Sequence, residues 1–164
     1  MAELCIIGAE LGADVPYCIM GGSMLAEGLG EVLSRISPIK KTSIVLVKPN
    51  VGVSTKWVYQ NLRLVDILER PDTEFLISLI QKGDLLTSGK NVVNVLETVT
   101  GEKYPMIQEM KEALVNKGAM GSIMSGSSSA VFGLFEDEAV ALKAYEEISR
   151  DEWETFLTRT YSEE

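Results

Sequence analysis

The sequence predicts an α+β fold, a mainly antiparallel sheet with helices packed on one face, and three observations carry that expectation. Residues 43–47 read Ser-Ile-Val-Leu-Val, the β-branched apolar run of a buried strand. Two further apolar runs flank a loop rich in serine and glycine at residues 124–133, the pattern of paired strands joined by a turn. Between them, Ile107, Met110, Leu114 and Val115 fall on one stripe of a helix over 104–117, which must bury that stripe on the sheet. Strand, helix, paired strands, helix and strand in that order give helices covering an antiparallel sheet.

Residues 2–11 have the apolar content of a buried helix, yet nothing caps or introduces it, so the sequence reads as the continuation of something longer. Pro16 is expected to push Val15 into the extended region and end that helix. Residues 18–20 and 24–27 read as short strands around the Gly21-Gly22 turn. Ser54-Thr55 can cap a helix over 55–68, and a shorter one over 73–82 stops at Gly83. A weaker helical pattern runs over 88–99. In the helix over 104–117, Pro105 suits the first turn and Gly118 the end. Asp137 caps a helix reaching about residue 150, and residues 155–161 form a last strand.

Composition narrows the function. With 164 residues, 46% hydrophobic and 24% charged, the chain suits a single domain over residues 1–164. A net charge of −9, with Lys40-Lys41 the only adjacent basic pair, excludes nucleic acid and anionic membranes as partners. Cys5 and Cys18 lack metal or redox spacing and are expected as buried free thiols. No basic leader opens the sequence and no apolar run is long enough for a bilayer, which points to a cytoplasmic protein; separately, no metal site is expected.

The loop Met124-Ser125-Gly126-Ser127-Ser128-Ser129-Ala130-Val131-Phe132-Gly133 is the candidate site. Glycine allows close backbone approach, and serines offer hydroxyls and amides to an oxyanion or a sugar. A plain hairpin turn accounts for the same composition. Gly121 and Gly126 have the spacing of a P-loop, but Ser127 stands where its lysine belongs and a strand follows. Residues 126–130 approach a serine-hydrolase elbow, and the chain has no histidine to serve as base.

Five segments in order carry a resemblance. They are Gly12-Ala13-Asp14-Val15-Pro16-Tyr17, Ala26-Glu27-Gly28-Leu29-Gly30-Glu31, Lys48-Pro49 with Gly52-Val53-Ser54-Thr55, Asn94-Val95-Leu96-Glu97, and the loop over 124–133. Together they resemble the GHMP kinase superfamily (galactokinase, homoserine kinase, mevalonate kinase, phosphomevalonate kinase), in the branch that acts on a cytidine-diphosphate-linked methylerythritol.

The resemblance implies transfer of phosphate from ATP, with Mg, to a hydroxyl of a small-molecule substrate. It covers only the C-terminal part of such a kinase. The second glycine-rich loop that holds ATP phosphates, and the lysine that pairs with the catalytic aspartate, belong to an N-terminal domain absent from this sequence. Residues 1–30 then fall between the two domains, and the exposed face would meet that domain or another copy of the chain. Asp14 carries over to the catalytic aspartate, though by itself it also suits a turn. Pro49, Val53, Ser54 and Thr55 carry over to the substrate-binding segment at the cytidine end, where a capped strand-to-helix connection is the other reading. Ser125, Gly126, Ser127 and Ser128 carry over to the active-site loop, with Ser128-Ser129-Ala130 replacing the branch's usual Gly-Pro-Thr. The competing expectations are another kinase of the superfamily, acting on homoserine or a mevalonate, and a non-catalytic ligand-binding module, which has no use for Asp14.

Overall fold

The computed structural model describes residues 2–149 and 152–161. Its centre is a four-stranded antiparallel sheet in the order β4-β5-β3-β6, built from β3 (Ser43–Pro49), β4 (Gly121–Met124), β5 (Val131–Phe135) and β6 (Trp153–Arg159). The register sets Val45 opposite Gly133 and Leu157, and Val47 opposite Val131 and Thr155. Alternation decides which side is covered: Val45, Val47, Val131 and Phe135 are fully buried, while Leu46, Phe132 and Leu134 between them are half-buried.

Two helices supply the cover. In α7 (Met106–Asn116), Ile107, Met110 and Leu114 are buried; in α8 (Glu138–Ile148), Ala141, Ala144 and Ile148 are. Asp137 caps α8 as expected, accepting hydrogen bonds from the Ala139 and Val140 amides at 2.8 and 3.0 Å. Glycine permits the close approaches. A Cβ at Gly133 would stand 3.0 Å from the Ala119 methyl, and one at Gly121 would overlap the Gly89 backbone. Gly121 and Gly133 face opposite sides, since Gly133 lies across from Ser122. Helix α5 (Leu85–Lys90) therefore crosses the far face of the sheet at its edge strand.

Between β3 and α7 come α3 (Thr55–Asn61), a 3-10 turn at Leu64–Asp66, α4 (Thr73–Lys82), α5 and α6 (Glu97–Lys103). Helix α4 ends at Gly83 in the left-handed region, as its sequence indicates. Two expected helices are shorter. The one over 55–68 stops at Asn61, whose side chain donates to the Trp57 carbonyl at 2.8 Å and leaves Leu62 extended. The one over 88–99 is interrupted: Asn91 likewise bonds back to Thr87, and the Asn94 side chain holds the Leu96 amide, so polar side chains replace the helical ladder. The Thr87 amide, bonded to Asp84 at the start of α5, holds that carboxyl below the ordinary carboxylate range, helped by Lys82 and Lys90.

The N-terminal part differs most from expectation. Helix α1 (Ala2–Leu11) forms, but Val15–Met20 is a second helix, α2, and not an extended segment leading to a strand at 18–20. Proline is tolerated there because first-turn amides have no acceptor within the helix, and Pro16 is buried. The strand at Met24–Glu27 (β1) pairs instead with Val32–Arg35 (β2), so the hairpin turn is Gly28-Leu29-Gly30-Glu31. Gly28 and Gly30 take φ of +70° and +111°, and the Glu31 carboxylate accepts from the Leu29 amide at 2.7 Å. The cysteines are free, as expected, but not buried: Cys5 is half-buried and Cys18 exposed on these helices. The last strand begins earlier than expected, at Trp153, and the C-terminal limit expected for α8 lies outside the described residues.

Candidate active site

The serine loop reverses the chain between β4 and β5. The Ser125 amide donates to the Ala130 carbonyl at 2.8 Å and the Ser128 amide to the Ser125 carbonyl at 3.1 Å. Gly126 has φ of +57°, and among the described residues only glycines have positive φ, so Ser127 follows with a negative one. That combination is a type II′ turn, which asks for glycine at its first central position. A Cβ on Gly126 would meet nothing within 4 Å, so backbone conformation, not space, is the constraint. Ser128 needs no unusual conformation, and its hydroxyl accepts from the Ala130 amide at 3.2 Å.

Three segments far apart in sequence close on this turn. Thr55 Oγ1 lies 2.7 Å from Ser127 Oγ. Ser129, buried, donates its hydroxyl to the Val51 carbonyl at 2.8 Å. Asn94 Nδ2 donates to the Met124 carbonyl at 2.9 Å and to the Gly126 carbonyl at 2.8 Å. Behind them the Glu97 carboxylate accepts from the Met124 amide at 2.7 Å and is paired with Lys111. Of the substrate-segment residues, Pro49 is buried at the end of β3, opposite Trp153. Val53 packs on the core, Ser54 caps α3 by accepting from the Trp57 amide at 3.3 Å, and exposed Thr55 meets the loop. An open cavity of about 530 Å³ adjoins the turn, walled by Tyr59, Leu62, Val93, Ile123 and Phe132, with Ser125 and Gly126 on its rim. Its lining is mostly apolar side chains with the polar groups of Asn94 and Ser125 among them, the usual make-up of a small-molecule site.

Asp14 stands apart from this cluster. It is exposed at the start of α2, in the αR region, and makes no capping bond. The first two motifs do meet, since a Cβ on Gly30 would lie 3.6 Å from the Ala13 carbonyl. Among the described residues no hydrogen bond or ion pair joins Asp14 to the serine loop. The candidate residues thus fall into two separate groups, Asp14 at the start of α2 and the cluster of residues 51–55, 94 and 124–129. Sequence reading singled out no role for Asn94, Glu97, Lys111 or Tyr59. The available signal was an asparagine three residues ahead of a helix start, where its side chain can accept from the amide two residues on, as in an Asx turn.

Among the described residues no three histidine, cysteine or carboxylate side chains converge to hold a metal ion. No helix among them is long and apolar enough to cross a membrane.

The site therefore sits on a four-stranded antiparallel sheet under two long helices, where the segments at 51–55 and 94–97 grip a glycine-hinged serine loop. The family described as GHMP kinases, C terminal, matches residues 76–155, and the chain belongs to it. Within that class, curated relatives of this chain bear the name 4-diphosphocytidyl-2-C-methyl-D-erythritol kinase. The chain is 54% identical over 159 residues to the kinase of that name from Acetivibrio thermocellus, covering 97% of this chain and 56% of the relative. Identity to the Clostridium novyi kinase is 46% over 158 residues, covering 96% and 56%. The crystal structure of a 4-(cytidine 5'-diphospho)-2C-methyl-D-erythritol kinase superposes with a TM-score of 0.80 at 28% identity, covering 95% of this chain and 56% of that one. Homoserine kinase from Cytophaga hutchinsonii, at 18% identity and a TM-score of 0.64, covers 90% of this chain and half of its own, and shares the fold. The chain thus spans about half the length of the curated relatives it matches.

Proposed function

We propose that this chain is the C-terminal part of an ATP-dependent cytoplasmic kinase that phosphorylates a hydroxyl of 4-diphosphocytidyl-2-C-methyl-D-erythritol, in the non-mevalonate route to isoprenoid precursors. The observation that carries the reading is the convergence of Thr55, Val51 and Asn94 on the serine loop, in a chain whose relatives bear that kinase's name. Likeness to homoserine and mevalonate kinases is one of fold and favours neither as the activity.

In this reading the substrate hydroxyl oxygen attacks the γ-phosphorus of ATP. The bond from that phosphorus to the β–γ bridging oxygen breaks, and ADP leaves. Asp14 orients the hydroxyl and accepts its proton, which suits a carboxylate free of capping bonds. The cytidine end lies toward the segment holding Pro49, Val53, Ser54 and Thr55, and the loop of Ser125, Gly126, Ser127 and Ser128 faces the transferred phosphate. That loop offers amides and hydroxyls but no formal positive charge. ATP phosphates and magnesium are accordingly held by groups of an N-terminal domain, with residues 1–30 between it and the rest.

The test is Asp14→Asn in the kinase completed to the length of its relatives. Asparagine keeps the shape but takes no proton, so kcat should fall about 10²-fold or more with KM little changed. Near-normal turnover in that variant would return Asp14 to the role of a turn residue.

A further inference from the structure

The hydrogen bonds from Asn94 do more than fasten the serine loop; they determine which way one of its peptides faces. In a trans peptide the carbonyl and the following N–H point in opposite directions. All described peptide bonds are trans, so holding the Gly126 carbonyl against Asn94 at 2.8 Å turns the Ser127 amide away from Asn94. Among the described residues that amide donates to no protein acceptor, whereas the neighbouring Ser125 and Ser128 amides are both used within the turn. The Ser127 hydroxyl is oriented separately, by its 2.7 Å contact with Thr55 Oγ1.

Asn94 is itself held from two sides. Its Oδ1 accepts from the Leu96 amide at 3.0 Å, which leaves its two amide hydrogens to point at Met124 and Gly126. The Glu97 carboxylate, joined to Lys111 and mostly covered, fixes the Met124 amide from the same short segment. A donor pre-aimed in this way pays no reorganisation cost when negative charge arrives.

Resting on the kinase reading above, we propose that Asn94 is a positioning residue: by gripping the Met124 and Gly126 carbonyls it presents the Ser127 amide, beside the Ser127 hydroxyl, to an anionic phosphoryl oxygen of the ligand. Aspartate at this position would keep the size and the bond from Leu96, but would set a carboxylate against two carbonyls and release the turn.

The experiment follows backbone amide signals of the ¹⁵N-labelled chain during titration with inorganic pyrophosphate. In the unaltered chain the Ser127 signal should move more than those of Ser125 and Ser128, because of these three only its hydrogen is available, and more than those of Gly126 and Ser129, because only the Ser127 amide belongs to the peptide that Asn94 turns. Asn94→Ala should remove that response or weaken the apparent affinity about tenfold, the usual scale for losing one aimed bond to a charged group. Melting curves check that the variant folds. If it does not, the unaltered chain still decides the matter: the Asn94 side-chain amide protons should show slow solvent exchange and scalar coupling to the Met124 and Gly126 carbonyl carbons. A Ser127 signal that ignores pyrophosphate, an equal response in folded Asn94→Ala, or freely exchanging Asn94 protons each overturns the proposal. None of those results bears on Asp14→Asn turnover, so failure here is distinguishable from failure of the kinase assignment.

Discussion

The two ends of this molecule use apolar residues in opposite ways. In the sheet and its helices Val45, Val47, Leu114 and Phe135 are fully buried, whereas in α1 Ile6 is 68% and Leu11 80% exposed. The sequences of the two regions are comparably hydrophobic. What differs is the presence of a partner surface: α7 and α8 lie on a sheet, while α1 packs chiefly on the short α2 and can hide only a little of itself. Hydrophobicity records the need for burial, and whether the need is met depends on what else is within reach.

Leu114→Ala should break the packed region outright. The side chain is fully buried, touches the strand at Gly133, and its removal leaves a cavity, so stability should drop by about 3 kcal/mol, read from denaturant midpoints. A loss below about 1 kcal/mol would mean the α7 face is far looser than drawn.

The serine turn sharpens the contrast, because it belongs to the packed region yet has open space around its glycine. Gly126→Val should cost about 1–2 kcal/mol through the positive φ alone, with no clash to relieve. In the completed kinase the same change should lower kcat/KM by more than that stability loss accounts for. Equal effects on folding and turnover would reduce the loop to a connection.

A smaller effect is expected from charge on the rim of the packed region. Hydrogen bonding from Lys117 holds the Glu147 carboxyl below its ordinary value. A carboxyl whose folded pKa is depressed contributes stability above its unfolded pKa and loses it as pH falls through the folded one. The acid limb of a melting-temperature profile should therefore be shallower in Lys117→Met, with no difference near neutrality beyond the loss of an exposed pair. Identical acid limbs would remove Glu147 from the account.

The smallest change in stability is expected where the apolar residue is already exposed. Ile6→Ser in α1 should alter stability by less than about 0.5 kcal/mol, yet reduce self-association seen by sedimentation. If it destabilises the chain as Leu114→Ala does, α1 is buried in solution and the contrast between the two ends disappears.

Much of the site was legible as separate segments. Gly126 between two serines announced a turn needing positive φ, and the motif at residues 52–55 carried its own cap in Ser54, since both features are local. That Thr55 would touch Ser127, or Ser129 reach Val51, was not legible: these pairs are 72 and 78 residues apart, and no periodicity encodes them. Asn94 looked like a motif residue without a task until two carbonyls of another segment were set against it.

Local chemistry was enough for the α+β class, the cap of α8 and the Ile107, Met110 and Leu114 part of the α7 stripe, because helix and strand periods and capping act within a few residues, whereas Val115, expected on that stripe, is exposed because no neighbouring element covers it, and the one-sided burial of β3 and β5 follows from helices lying over one face. Tertiary structure decided three things that local preference misread or left open: Val15–Met20 became a helix around Pro16, β1 took β2 as its partner, and the pattern over 88–99 broke into α5 and α6. In each case several local conformations lie within about 1 kcal/mol of one another, a gap that side-chain hydrogen bonds such as those of Asn91 and Asn94, or burial of one residue such as Pro16, is enough to reverse.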